Sequence, residues 1–194
     1  PQLRLAFTAP SGFYMVNGTR AVSINGESGQ AQMSTAPYNG NLETYIRSVF
    51  SSIGGNEQNL APASIQRTTV NGLPAMYGTA RVNSGNGQVD LVVFAYEFSN
   101  NQAYHFAAIS QAGRTDAFSP MFNSMRRITT AEAAAVVPRR IDVVTVARGD
   151  TVQSLSRRMA YTDAQERRFR VLNGLGSTEN IVAGQKVKIV VKSR

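Results

Sequence analysis

The chain of 194 residues contains no cysteine and a single histidine, His105. Without cysteine there can be no disulfide, no thiolate zinc site and no cysteine nucleophile. One histidine cannot supply the paired imidazoles of an HExxH helix, in which two histidines one turn apart grip zinc while the glutamate activates water. No cluster of Asp or Glu stands near Tyr104-His105-Phe106 to complete a metal site of another kind. The sequence therefore predicts no metal site, no cofactor and no catalytic residue in this chain. His105 shares a strand face with Ala107 and Ile109 and is expected to be structural.

Long apolar runs are missing too. Nothing approaches the ~18 residues that would span a bilayer, so no transmembrane segment is expected. Residues 1–10 hold neither a basic start with an apolar block nor a small-residue cleavage site, which predicts no secretion signal. Opening at Pro1 with Leu3 and Leu5 already alternating, the chain reads as cut from something longer. Phosphate-loop patterns are absent as well: the glycines of Gly85-Asn86-Gly87 lie in neither GxxxxGK[ST] nor a strand-GxGxxG-helix frame, and read as turn chemistry.

Acidic residues are scarce in one region only. Residues 1–135 carry eight Arg against seven Asp or Glu, a net of +1, whereas residues 136–194 carry twelve Lys or Arg against five acids, a net of +7. Any attraction for anionic partners is therefore expected in the tail.

The first region has the pattern of an antiparallel sheet, with strands predicted over 3–8, 13–16, 20–24, 29–35, 65–70, 75–82, 89–98 and 103–110. Asn17-Gly18, Asn25-Gly26 and Asn71-Gly72 predict three hairpin turns, because Asn-Gly suits their left-handed backbone. Met76, Gly78, Ala80 and Val82 alternate with Tyr77, Thr79 and Arg81, the period of a strand. Leu91 to Tyr96 is apolar on both faces, which predicts a central strand.

Two helices interrupt this sheet. Leu42, Tyr45, Ile46, Val49, Phe50 and Ile53 form one apolar stripe, with Asn41 as cap and Gly54-Gly55 as stop. A second helix over 116–128 would bury Phe118, Met121, Phe122 and Met125, with Arg126 and Arg127 in its last turn. Residues 129–140 lack apolar periodicity and read as a linker.

The tail runs strand, helix, helix, strand. Residues 141–146 make the first strand. Asp150, with Gln153 three residues on, predicts a capped helix burying Val152, Leu155 and Met159, and Asp163 with Glu166 predicts a second carrying Phe169 and Leu172 and ending at Gly174. In the closing strand Val187, Ile189 and Val191 point one way, while Lys186, Lys188 and Lys192 point the other with Val190.

Gly149-Asp150-Thr151, Leu155, Leu172-Asn173-Gly174 and Ala183-Gly184-Gln185-Lys186-Val187-Lys188-Ile189, in this order of elements, resemble LysM modules. Those modules carry GDT after the first strand and PGQ before the last; here Ala183 takes the place of the proline, and the insert holds Arg167-Arg168-Phe169-Arg170. The resemblance implies a βααβ domain that binds N-acetylglucosamine-type glycans in a shallow groove between the loop after strand one and the loop before strand two. By motif it nominates Arg148, Gly149, Asp150, Thr151, Asn173, Gly174, Leu175, Ile181 and Val182.

A wider resemblance rests on Phe7-Thr8-Ala9-Pro10-Ser11-Gly12-Phe13, Asn41-Leu42-Glu43-Thr44-Tyr45, Arg67-Thr68-Thr69-Val70-Asn71-Gly72-Leu73, Ala131-Glu132-Ala133-Ala134 and the tail. With these the chain resembles the C-terminal, non-catalytic region of bacterial envelope zinc metallopeptidases of the M48 family. That implies an α+β fold: an antiparallel sheet with two packed helices over 1–128, of the PsbP or Mog1 type, a linker over 129–140 and a LysM-like module over 141–194. It also implies an upstream peptidase domain as partner, zinc held only there, peptidoglycan or envelope proteins as further partners, and a periplasmic or cell-envelope location. The expected role is positioning the peptidase or presenting protein substrates to it.

Two other readings stand beside this one. Arg157, Arg158, Arg167, Arg168, Arg170, Lys186, Lys188 and Lys192 could form a face for anionic polymers: nucleic acid, acidic glycan or lipid head groups. Nucleic acid ranks low, because the tail has no recognised motif and two aromatics, Tyr161 and Phe169, for base stacking. Glu166 lies four residues before Arg170, so a merely solvated helix face explains these charges equally well. Alternatively the first region is an enzyme using Tyr45, Tyr77, Tyr96, Tyr104 or Asp90, though none of these forms a nucleophile and base pair by spacing.

Overall fold

In the computed structural model the chain forms two compact units, one ending at Ile128 and one beginning at Thr129. The structure describes residues 3–55, 60–85 and 87–193, so residue 86 of the Gly85-Asn86-Gly87 turn lies outside it. The fold is mixed, with antiparallel sheets and a few helices.

The first unit is built on seven antiparallel strands: β2 (Tyr14–Asn17), β3 (Val22–Gly26), β4 (Gly29–Ser34), β5 (Ser64–Val70), β6 (Leu73–Ser84), β7 (Gly87–Ser99) and β8 (Gln102–Gln111). Their order across the sheet is β2-β3-β4-β8-β7-β6-β5. Both faces are covered, which is why the middle of β7, Leu91 to Tyr96, is apolar throughout. Leu91, Val93 and Ala95 pack with Leu42, Tyr45, Ile46, Val49 and Phe50 of helix α1 (Leu42–Gly54). Val92, Phe94 and Tyr96 pack instead with Phe118, Met121, Phe122 and Met125. Asn41 caps α1 as expected, its side chain accepting from the Thr44 N–H at 2.9 Å. Ile53, however, leaves the buried stripe and is 42% exposed.

Asn71 and Gly72 form the two-residue turn between β5 and β6, with φ of 48° and 79°. Positive φ at both centres is the geometry that Asn-Gly favours and that matches strand twist. The turn expected at Asn25-Gly26 lies two residues later: Gly26 pairs with Gly29, and Glu27 and Ser28 make the bend. Gly26 serves a different need, since a Cβ there would lie 2.7 Å from the Phe13 ring.

The helix expected over 116–128 is broken. A 3₁₀ turn (Thr115–Phe118) runs into a short α2 (Ser119–Ser124), with Pro120 in its first turn, where a missing N–H is harmless. Met125 then turns extended, and Arg126–Arg127 becomes strand β9, paired with β1 (Leu5–Ala6). Arg127 stacks its guanidinium over Phe98 at 4.8 Å and donates to the Phe98 carbonyl. An arginine pair suits an edge strand as well as a helix end, so composition did not separate the two.

The second unit contains β10 (Arg139–Thr145), α4 (Val152–Ser156), α5 (Gln165–Asn173) and β11 (Lys186–Lys192). β10 and β11 pair antiparallel from Arg139↔Lys192 to Thr145↔Lys186. Val146, Val152, Leu155, Met159, Phe169, Val187 and Ile189 make its core. Part of the stretch 129–140, read as a linker, is ordered: α3 (Thr130–Ala135) is held by a reciprocal cap between Thr129 and Glu132, and β10 starts at Arg139 rather than Ile141. No residue of α3 is buried, which is why no apolar period announced it.

Neither cap predicted for the tail forms as expected. Thr151, not Asp150, caps α4: its side chain accepts from the Ser154 N–H at 3.0 Å, and Ser154 Oγ accepts from the Thr151 N–H at 2.9 Å. Asp150 is occupied elsewhere, its Oδ2 accepting from the Ala147 N–H at 2.9 Å. α5 has no side-chain cap, and Ala164 precedes it with φ of 44°. Asp163 is drawn to Arg168 at 2.7 Å, and that hydrogen bond holds its carboxyl below the usual carboxylate range. Gly174 ends α5 in left-handed geometry, as expected.

Candidate functional site

The two loops nominated for glycan lie at residues 146–151 and 174–185. Their inner ends are zipped together by two backbone bonds, Val146 N–H to the Gln185 carbonyl at 2.8 Å and Gly184 N–H to the Val146 carbonyl at 2.9 Å. The chain thus sets the loop after β10 beside the loop before β11.

Most of the nine nominated side chains have structural duties there. Asp150 closes its own loop, and Thr151 caps α4. Asn173 donates from Nδ2 to the Phe169 and Lys188 carbonyls, both at 2.9 Å, and accepts the Lys188 N–H at 2.7 Å, fixing the end of α5 to β11. Leu175 and Ile181 are half-buried against the core. Gly174 carries the left-handed cap. Arg148 and Gly149 stand exposed, and Val182 is 66% exposed. The geometry leaves these three and the loop backbone as the surface that a sugar could meet.

Gln185 and Arg170 also shape the loops, though neither is among the nine nominated residues. Gln185 Oε1 accepts the Val182 N–H at 3.1 Å. Arg170 donates from Nη1 to the carbonyls of Gly176 at 2.8 Å and Glu179 at 2.7 Å, and its Nη2 pairs with Glu166 at 2.9 Å. The expected i,i+4 pair with Glu166 is present, but the role across the loop has no signal in local spacing.

The nominated basic face divides accordingly. Arg170 is half-buried and committed to that clamp, so it leaves the face. Arg168 pairs with Asp163 and lies over the Tyr161 ring at 4.6 Å. Arg157, Arg158 and Arg167 are exposed on or beside the helices, and Lys186, Lys188 and Lys192 are exposed along β11. An open cavity of about 490 Å³ lies between α5, the turn before it and Val190.

In the first unit the polar groups weighed for chemistry are also committed. Tyr96 donates to the Phe122 carbonyl at 2.8 Å, Tyr77 to Gln66 at 2.5 Å, and Tyr104 accepts from Gln102 at 2.7 Å. Asp90 pairs with Arg81 at 2.6 Å and accepts the Gly113 N–H at 2.7 Å. His105 is 6% exposed; its Nδ1 meets the Tyr45 hydroxyl at 2.8 Å and its Nε2 meets Ser34 Oγ at 3.1 Å. Burial lowers its pKa to about 4, so the ring is neutral at pH 7. Among the described residues no group of three or more His, Cys, Asp or Glu could hold a metal ion. Among the described residues no helix is long and apolar enough to cross a membrane.

Comparison with known proteins bears on the tail. No curated protein matches the chain. A crystal structure from Bacteroides thetaiotaomicron is similar at 10% identity with a TM-score of 0.48, covering 75% of this chain and 51% of that one. The chain thus spans about half the length of that structure. Over residues 144–190 the sequence matches the family model of the LysM domain, a binding module rather than a catalytic one, and on that match a LysM domain is present in the βααβ tail.

Proposed function

We propose that this chain is the non-catalytic accessory and binding region of a larger envelope protein, in which the LysM domain holds N-acetylglucosamine-type glycan such as peptidoglycan. The LysM match over 144–190 supports the reading, because it falls on the segment whose two loops lie side by side. Within the nominated set, Arg148, Gly149 and Val182 meet the sugar, while Asp150, Thr151, Asn173, Gly174, Leu175 and Ile181 shape the loops.

In this reading residues 1–128 form an α+β domain of the PsbP or Mog1 type, 129–140 join the parts, and 141–194 form the binding module. The parent is an M48 zinc metallopeptidase whose zinc lies in a domain upstream of Pro1, acting in the periplasm or at the cell envelope. The chain positions that peptidase or presents protein substrates to it. The parent assignment rests on the short matches at 7–13, 41–45, 67–73 and 131–134 together with the tail.

Sedimenting the full chain with purified peptidoglycan tests the glycan half. Retention that falls when Arg148→Ala and Val182→Asp are combined supports it, and no retention of the unaltered chain sinks it. Reading the coding sequence upstream of Pro1 tests the parent: an HExxH there supports the peptidase, and its absence removes it.

The net +7 of residues 136–194 favours a second reading, attraction to anionic polymers through Arg157, Arg158, Arg167 and the three lysines of β11. Binding of that kind weakens steeply with salt. Absent or salt-insensitive binding to DNA and anionic vesicles removes it.

A further inference from the structure

Apart from the two loops, the LysM unit carries a concavity of its own chemistry. Its floor is apolar, formed by Met159, Tyr161, Leu172 and Val190, and Arg167 and Arg168 stand at its rim. Val171 lines the same cavity and is 78% exposed, an apolar side chain left to water on α5. The volume of about 490 Å³ lies within the ordinary range for small-ligand sites.

Tyr161 organises the charge around this floor. The guanidinium carbons of Arg139 and Arg168 lie 4.7 and 4.6 Å from its ring centroid, a cation–π arrangement that holds two positive groups beside an apolar surface. Asp163 offsets one of them through Arg168. Among the described residues the Arg167 side chain has no hydrogen-bond or ion-pair partner, and Lys192 stands opposite Arg139 in the sheet. The surroundings therefore keep an excess of positive charge over a lining that contains no carboxylate and no amide.

That lining discriminates among ligands. A neutral sugar needs acceptors as well as donors for its hydroxyls, and the lining side chains offer two guanidiniums and one phenol. A polyanion needs a track of cations and has no use for the apolar floor. A long acyl chain needs an enclosed channel, whereas here the wall residue Val171 is open to water. A carboxylate next to one aliphatic side chain satisfies both parts: the side chain covers the floor, and the planar carboxylate meets the guanidinium fork.

We infer that this cavity is a second binding site of the LysM unit, distinct from its glycan loops, and that it takes the free C-terminus of a peptide ending in an aliphatic residue. Arg167 holds the carboxylate, Arg168 adds positive charge beside it while paired with Asp163, and Met159, Leu172, Val171 and Val190 hold the last side chain. The site is independent of whether the loops bind glycan.

The test is a titration of the isotope-labelled full chain, followed by amide NMR, with three probes: acetyl-Gly-Ala-Leu bearing a free carboxylate, the same peptide as its C-terminal amide, and octanoate. The expected result is saturable shifts at Tyr161, Val171 and Leu172 with the free acid, weakened at least tenfold by amidation. Arg167→Gln and Val171→Asp alter exposed side chains, so each leaves the spectrum folded and each is expected to abolish the shifts. Both variants are expected to keep the peptidoglycan retention of the unaltered chain, which separates failure of this site from failure of the glycan reading. Equal binding of acid and amide, tighter binding of octanoate than of the peptide, or no shift at millimolar peptide would each overturn the inference.

Discussion

Asn173 and Lys188 are bonded in both directions: the Asn173 side chain donates to the Lys188 carbonyl at 2.9 Å and accepts the Lys188 N–H at 2.7 Å. A third bond, to the Phe169 carbonyl, ties the same amide to its own helix. One side chain therefore joins the end of α5 to the middle of β11. Asn173→Ala leaves the Lys188 N–H without this partner and is expected to destabilise the tail by about 2 kcal/mol. Urea denaturation, with hydrogen exchange at the Lys188 amide, checks this. An unchanged midpoint together with unchanged Lys188 protection would contradict it.

The cap of α4 gives a sharper contrast. Thr151→Ala removes the side-chain bond to the Ser154 N–H and is expected to cost about 1 kcal/mol. Gln153→Ala, which would matter if Asp150 capped the helix with Gln153 as its partner, is expected to leave the melting temperature unchanged. Reversal of this order by thermal denaturation would restore the capping inferred from spacing.

Arg170 is expected to resist conservative replacement. Lysine keeps the charge but cannot reach Glu166 and the Gly176 and Glu179 carbonyls at once, as the fork of Arg170 does. Arg170→Lys should raise amide exchange rates across 175–181 while the exchange of Phe169 and Val187 stays slow. Uniform exchange across the whole tail would contradict a local clamp.

His105 makes the first unit acid-sensitive. Its pKa is lowered from 6.5 to about 4 by burial, so the folded state holds the ring neutral. A depressed histidine contributes nothing against unfolding above pH 6.5, and stability falls as pH drops from there towards 4, because the unfolded chain binds the proton first. The full loss is about 3 kcal/mol by pH 4. Denaturation midpoints at pH 7.5 and 4.5, compared between the unaltered chain and His105→Gln, check this. A pH slope equally steep in both would assign the effect to other groups.

Much of the larger unit was legible because two kinds of signal agreed. The stripe from Leu42 to Phe50 and its Asn41 cap marked α1 from both side and end. Leu91 to Tyr96 announced a strand covered on both faces, and Asn71-Gly72 a turn that needs positive φ twice. Where a residue type serves two conformations, the pattern failed. Arg126 and Arg127 suited a helix end and became an edge strand. Asp150 and Thr151 are both good caps, and only the Ala147 N–H, satisfied by Asp150, decides between them. Arg167, Arg168 and Tyr161 stood out in the sequence, but the cavity beside them did not, since it forms only when Val190 of β11 comes to lie against residues 159–172.

The central claim is that the two zipped loops of the LysM domain hold N-acetylglucosamine-type glycan. Amide NMR of the full chain titrated with a linear N-acetylglucosamine oligomer tests it most directly. The account predicts saturable shifts confined to 147–151 and 174–182, and their loss in Val182→Asp with the rest of the spectrum unchanged. Absence of shifts, or shifts gathered around Tyr161 and Val171 instead, would contradict it.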